Sequence, residues 1–267
     1  MSFAFEFKKP FKEQVDFFLA KVNIGIKDWL DLQAAYNDYA FYVTGAMQAD
    51  LVSDLRDAVQ TAIVDGRDIR WFREQFDRIV SDHGWGATNP RLNDPGYRDW
   101  RARIIFQTNS AVSFSAGRYA QLTDPSLFNP GNVWVYKHSD FVANPRPLHV
   151  SWNNIVKPVG DPWMLAHWGP KGYGCRCYVI VVTRETAQAA SYRFTAPEGE
   201  GRTYQYTNRK TGEVSTLPVG VDPGWNYTPG QTLAERGQSL ASAKRAEWPP
   251  EIARAYDALL RSKGLPA

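Results

Sequence analysis

Cysteine and histidine are the side chains that coordinate soft divalent metals, and this chain concentrates them. Both cysteines, Cys175 and Cys177, and three of the four histidines, His138, His149 and His167, fall within residues 134–177. Two thiolates and two imidazoles, from Cys175, Cys177, His149 and His167, would complete a tetrahedral structural zinc site that knits loops together. The spacing stands against it: structural zinc knuckles use C-x2-C, and a fully extended C-x-C points its two side chains to opposite faces. A bulge or turn from Gly174 would restore a shared face. Two other readings fit the same residues, buried structural thiols packed beneath aromatics and reactive or redox cysteines. A disulfide between the two is disfavoured by the strain of so small a ring. His138, in a polar strand-end setting, and His83, at a helix C-terminus, read as surface histidines.

Asp140, Arg146 and His149 form a second constellation. An acid–histidine pair beside an anion-holding arginine could serve a nuclease or transferase acting on nucleic acid or nucleotides, with these three as the catalytic candidates. The competing reading is a loop clamp, in which Arg146 and Asp140 bond backbone and His149 caps the loop. No activated serine, cysteine or paired-carboxylate arrangement accompanies the trio, which favours the clamp. Phosphate-binding loops, G-x-G-x-x-G, H-E-x-x-H and G-x-S-x-G are absent. Asp50, Asp54 and Asp57 recur at helical spacing and read as a solvated face.

The residues around these sites are those of a globular chain. Hydrophobic residues make up 43% and aromatics 14% of 267 residues, too rich for disorder. A mean hydropathy of −0.44 and the lack of any long apolar run predict no membrane span. The start, MSFAFEFKKPFKE, lacks the basic-then-apolar order of a secretory signal, so a cytoplasmic origin is expected. Net charge is +3. The densest basic groupings, Arg67/Arg70/Arg73 and Arg98/Arg101/Arg103, sit on amphipathic helical patterns, so they read as solvated faces rather than a nucleic-acid stripe.

Helical periodicity fills the first half. Val52, Leu55, Val59 and Ala62/Ile63 recur on one face, as do Ile69, Phe72, Phe76 and Ile79/Val80, with stops at Asp65-Gly66 and His83-Gly84. A long helix over 97–121 follows, and at least four helices are expected before any strand. Short β-type runs at 133–137 and 178–182 flank the Pro/Gly/Trp-rich loops, and 203–206 with 213–217 form a hairpin. A proline-initiated helix begins at Pro249. The fold class is α+β: a helical N-terminal region (1–95), a module of long helix, short strands and Cys/His-rich loops (96–190), and an extended C-terminal tail with hairpin and short helix (191–267). The tail's proline and glycine content suggests an arm that orders on a partner. Phe3, Phe5, Phe7, Phe11, Phe17 and Phe18 suggest a docking element, although a packed first helix accounts equally well for the last three.

These features resemble the phage Mu protein F-like minor head proteins, the head morphogenesis family of tailed bacteriophages and prophages. The resemblance rests on the helix bearing Arg103, Thr108, Asn109, Gly117 and Arg118, the Trp134 strand, Asp140, Arg146-Pro-x-His149, and Pro162-Trp163 through Gly174-Cys175-Arg176-Cys177. The N-terminal helices with Lys21, Trp29 and Ala40-Phe41, and the tail segment 221–230, are similar too. The resemblance implies a virion protein of few copies, made in the host bacterial cytoplasm and built into the procapsid at the head interior near the portal vertex. Its implied partners are portal and major capsid or scaffold proteins, with non-specific contact to packaged double-stranded DNA and an influence on packaging or ejection. Members often carry an aromatic residue near position 167, so the resemblance assigns no metal role to His167.

Overall fold

The amphipathic pattern of the first half produces a helical layer. The computed structural model describes residues 10–26, 38, 40–124, 129, 131–142 and 144–231. All belong to one compact unit that ends at Gln231. Helix α1 (Lys12–Leu19) leads to two-residue strands β1 (Val22–Asn23) and β2 (Ala40–Phe41), which pair in parallel. The expectation that four helices precede any strand is therefore corrected. Two-residue strands carry no period for a sequence pattern to reveal.

Helices α2 (Ala49–Val64) and α3 (Ile69–Asp82) follow the expected apolar faces. Asp68 caps α3 by accepting from the backbone N–H groups of Arg70 and Trp71, each at 3.0 Å, which supplies two of the orphan donors of a helix start. Val52, Leu55, Val59 and Ile63 meet Phe72, Phe76 and Val80, and this core also takes in Phe18, Phe41, Trp85 and Leu92. His83, beyond the end of α3, is not a bland surface group. Its Nε2 lies 2.7 Å from Asp54 on α2, tying the two helices together.

After a short α4 (Trp85–Thr88), Asp94 caps the long α5 (Pro95–Leu122), with Pro95 at its first position. Ala102 and Ile105, in its first half, enter the helical core. Its last turns place Tyr119 and Leu122 against a second core. Helix α1 lies against α5 at Gly117, where a Cβ would come within 2.6 Å of the Gln14 amide nitrogen. Phe11 there meets Phe114 edge to face at 5.6 Å.

The second core is built on a three-stranded antiparallel sheet in the order β4-β3-β5: β3 (Asn132–Lys137), β4 (Val156–Pro158) and β5 (Tyr178–Thr183). Alternation along β3 sends Trp134 and Tyr136 to an aromatic face with Trp152, Trp163, Trp168, Cys175 and Cys177. Val133 and Val135 go to the other face, where they cluster with their sheet neighbour Val156 and with Ala187. Short helices α6 (Pro147–Ser151), α7 (Pro162–Ala166) and α8 (Arg184–Ala189) stand where the sequence suggests loops or nothing regular. The hairpin forms as expected from β6 (Thr203–Thr207) and β7 (Val214–Pro218).

The tail that follows is extended but docked. Val221, Trp225, Tyr227 and Thr228 are buried, and the Gly230 amide donates to Asp38. An arm that orders only on a partner is thus corrected for residues 219–231. Aromatic anchors, which a Pro/Gly-rich texture hides, supply the burial. The Phe3, Phe5 and Phe7 docking element, Trp29 and the helix from Pro249 lie outside the described residues.

Candidate metal centre

Gly174 sets up the site. Its backbone sits at φ +75°, in the left-handed region where an L side chain is strained, within a turn closed by the Cys175 amide donating to the Gly172 carbonyl at 3.1 Å. Residues 175–177 leave that turn before β5 begins. Both thiols are consequently buried in the same aromatic core, and the turn at Gly174 does what an extended C-x-C could not.

His149 comes to them from α6. Its Nδ1 lies 3.7 Å from the sulfur of Cys175 and 3.7 Å from that of Cys177. Its Nε2 lies 2.7 Å from the Gly220 carbonyl, a group that only accepts, so Nε2 carries the proton and Nδ1 turns a lone pair toward the sulfurs. The ring stacks on Trp152 at 5.1 Å. The ligand atoms of His149, Cys175 and Cys177 all lie within 4.8 Å of one another.

A second histidine reaches one of the sulfurs, that of Cys177, and it is not the expected one. Lys137 pairs with Tyr178 across β3 and β5. One step further along that register stand His138 and Cys177, and His138 continues the face of Trp134 and Tyr136. Its Nδ1 is 3.5 Å from the Cys177 sulfur. The His138 amide also donates to the Asn153 side chain at 3.0 Å, which holds the strand end in place. Reading His138 as a surface residue overlooked this; the alternation that puts it on the face of Trp134 and Tyr136 was the signal the sequence carried.

His167 stands apart. Its Nδ1 lies 2.8 Å from the Trp163 carbonyl and its Nε2 3.1 Å from the Val219 carbonyl, so neither nitrogen is available to a metal. The ring stacks on Trp163 at 4.5 Å and fastens α7 to the tail. The sequence-based ligand set is corrected here: proximity in sequence to Cys175 does not bring His167 to the sulfurs.

The electrostatics match a buried thiol pair. Hydrogen bonding from Cys177 holds the Cys175 thiol well below its ordinary range against the opposing effect of burial. Cys177 is pushed the other way by its bonded neighbour Cys175 and by burial. Burial also lowers the pKa of His138, favouring the neutral ring. Burial, followed by the nearby Cys177 and Cys175, raises the Tyr136 hydroxyl well above its usual value. Lys171, fully buried, donates from Nζ to the Trp225 and Tyr227 carbonyls, and burial lowers its pKa from 10.5 to about 7.

The Asp140/Arg146/His149 constellation does not assemble. Asp140 is exposed beyond the end of β3. Arg146 pairs instead with Asp222 in the tail, Nη2 to Oδ2 at 2.5 Å, and reaches the Tyr173 carbonyl at 3.4 Å. Arg146 is a clamp, but on a carboxylate the sequence reading did not consider. The basic helix faces are likewise engaged: Arg73 meets Asp99 at 2.5 Å and Arg98 meets Asp77 at 3.6 Å, both linking α3 to α5. No helix among the described residues is long and apolar enough to cross a membrane.

The comparisons with known proteins agree with the resemblance: over most of its length the chain is similar to Mu F-type proteins. It is 26% identical over 270 aligned residues to the putative capsid assembly protein F of Escherichia phage Mu, covering 89% of this chain and 58% of that protein. The Mu-like prophage FluMu F protein of Haemophilus influenzae is 23% identical over 223 residues, 76% of this chain and 52% of its own length. The chain thus spans about half the length of the curated relatives it matches. No family model matches the chain, and no solved structure does.

Proposed function

We propose that this chain acts in phage capsid assembly, as a minor head protein built into the procapsid at the head interior near the portal vertex and made in the host bacterial cytoplasm. The observation that carries this reading is the similarity, over 89% of the chain, to a protein named for capsid assembly. The architecture is consistent with a binding scaffold. Arg146, His167 and Lys171 go into fastening segments together.

Portal and major capsid or scaffold proteins suit this surface better than DNA. Arg73 and Arg98 are engaged in ion pairs within the chain, and Arg67 and Arg70 pair with Asp65 and Asp68. Contact with packaged DNA, and any part in packaging or ejection, would therefore be non-specific and sensitive to salt.

Quantitative mass spectrometry of gradient-purified particles from the phage or induced prophage that encodes the chain tests this directly. A few copies in both DNA-free proheads and filled heads is the expected result. Presence in proheads with loss or trimming in filled heads would mark an assembly factor rather than a virion component. Absence from both overturns the reading.

A further inference from the structure

We propose that Cys175, Cys177, His149 and His138 together hold one thiophilic divalent ion, zinc by ligand chemistry, and that this ion fastens the end of β3, helix α6 and the loop before β5 to one another.

The spacing of the donors carries the inference. In tetrahedral zinc coordination, with Zn–S near 2.3 Å and Zn–N near 2.0–2.1 Å, a sulfur and a nitrogen on one edge lie about 3.6 Å apart. The observed separations are 3.7 and 3.7 Å from His149 and 3.5 Å from His138. Hydrogen bonds between sulfur and imidazole would satisfy one such contact. Here two sulfurs converge on one nitrogen lone pair, and a second imidazole, that of His138, lies against the Cys177 sulfur.

The surroundings complete the fit. His149 donates its other ring N–H to the Gly220 carbonyl, the outer-shell arrangement that fixes a ligating histidine's tautomer. Two thiolates neutralise a divalent charge, so a bound ion would add no net charge to the core. Sulfur donors select zinc-like ions over magnesium or calcium. Cys175, Cys177 and His149 are buried, whereas His138 is partly exposed. With all four positions taken by protein, the site is structural rather than catalytic.

The test is a cobalt(II) titration of the full chain, purified under reducing, chelator-free conditions, followed by competition with zinc. Saturation at about one ion per chain is expected, with sulfur-to-cobalt charge-transfer bands and the intense visible bands of a four-coordinate ion. His138→Ala should weaken binding by more than the ~10–100-fold typical of losing an outer-shell partner. His167→Gln should leave the cobalt spectrum unchanged. Should a variant fail to fold, the wild-type chain still decides: bound zinc should protect both thiols from alkylation. A folded wild-type chain with no cobalt spectrum and equal alkylation with and without zinc overturns the proposal. An unchanged spectrum and affinity in His138→Ala removes His138 from the set.

Discussion

Arg146 and Asp222 are separated by 76 positions in the chain, yet the guanidinium Nη2 lies 2.5 Å from the carboxylate oxygen. Gly172 is wedged beside the pair, where a Cβ would come within 2.0 Å of the Asp222 oxygen and 2.4 Å of the Arg146 nitrogen. The pair pins the tail to the module at its rim. Both side chains are partly exposed, 31% and 43%, so solvent screens the attraction. Asp222→Asn should therefore lower stability by no more than about 1 kcal/mol in urea denaturation. Limited proteolysis between residues 219 and 231 should nevertheless accelerate, and added salt should reproduce part of the effect in the wild type.

Lys171 makes the deeper attachment. Replacing it with methionine keeps most of the volume but strips the Trp225 and Tyr227 carbonyls of their donor. Each orphaned buried carbonyl costs about 1–3 kcal/mol, so Lys171→Met should destabilise far more than Asp222→Asn. Chemical denaturation of the two variants side by side checks the order.

Lys21 predicts a pH dependence. Burial pulls its pKa from 10.5 down to about 8, with Asp38 opposing the shift. Between about pH 8 and 10.5 the unfolded chain holds a proton that the folded chain has released. Stability from this group therefore rises with pH across that window, by at most ~1.4 kcal/mol per unit. Tyr136 and Tyr227, whose pKa values burial raises above 10.0, act in the opposite direction from about pH 10 upward. The signal is the difference between wild type and Lys21→Met in urea midpoints from pH 7.5 to 9.5. That difference should shift in favour of the wild type as pH rises.

Gly174→Ala isolates the backbone requirement of the Cys-x-Cys turn. A Cβ there meets nothing within 4 Å, so the cost is conformational, about 1–2 kcal/mol for an L residue held at positive φ. If the turn relaxes instead, the thiols part, and the native chain should lose the cobalt spectrum while remaining folded by circular dichroism.

The elements that follow a period were legible in the sequence. The faces of α2 and α3, the span of α5, the β3 and β5 runs and the hairpin all appear where apolar spacing puts them. The relationships between elements were not. Asp222 as the partner of Arg146 and Gly220 as the acceptor for His149 depend on the docked tail, and no local pattern announces a return over 70 or more positions. His138 was missed because a strand's apolar alternation says which face a residue takes but not which strand lies opposite. His167 was misassigned because a histidine near cysteines in sequence looks the same whether its nitrogens face sulfur or carbonyl oxygen. The grouping of Cys175, Cys177 and Gly174 was legible, since only a turn could bring both side chains of C-x-C to one partner, and both sulfurs do face His149 Nδ1.

Helix α5, at 28 residues, is a rod about 42 Å long. Its first half is embedded among the helices and its last turns among the tryptophans. Force applied to one end must pass along its axial ladder of backbone bonds before it can disturb the other. Under mechanical load the helical layer and the aromatic layer should move as one stiff body, giving way at the loops around them rather than at the seam between them.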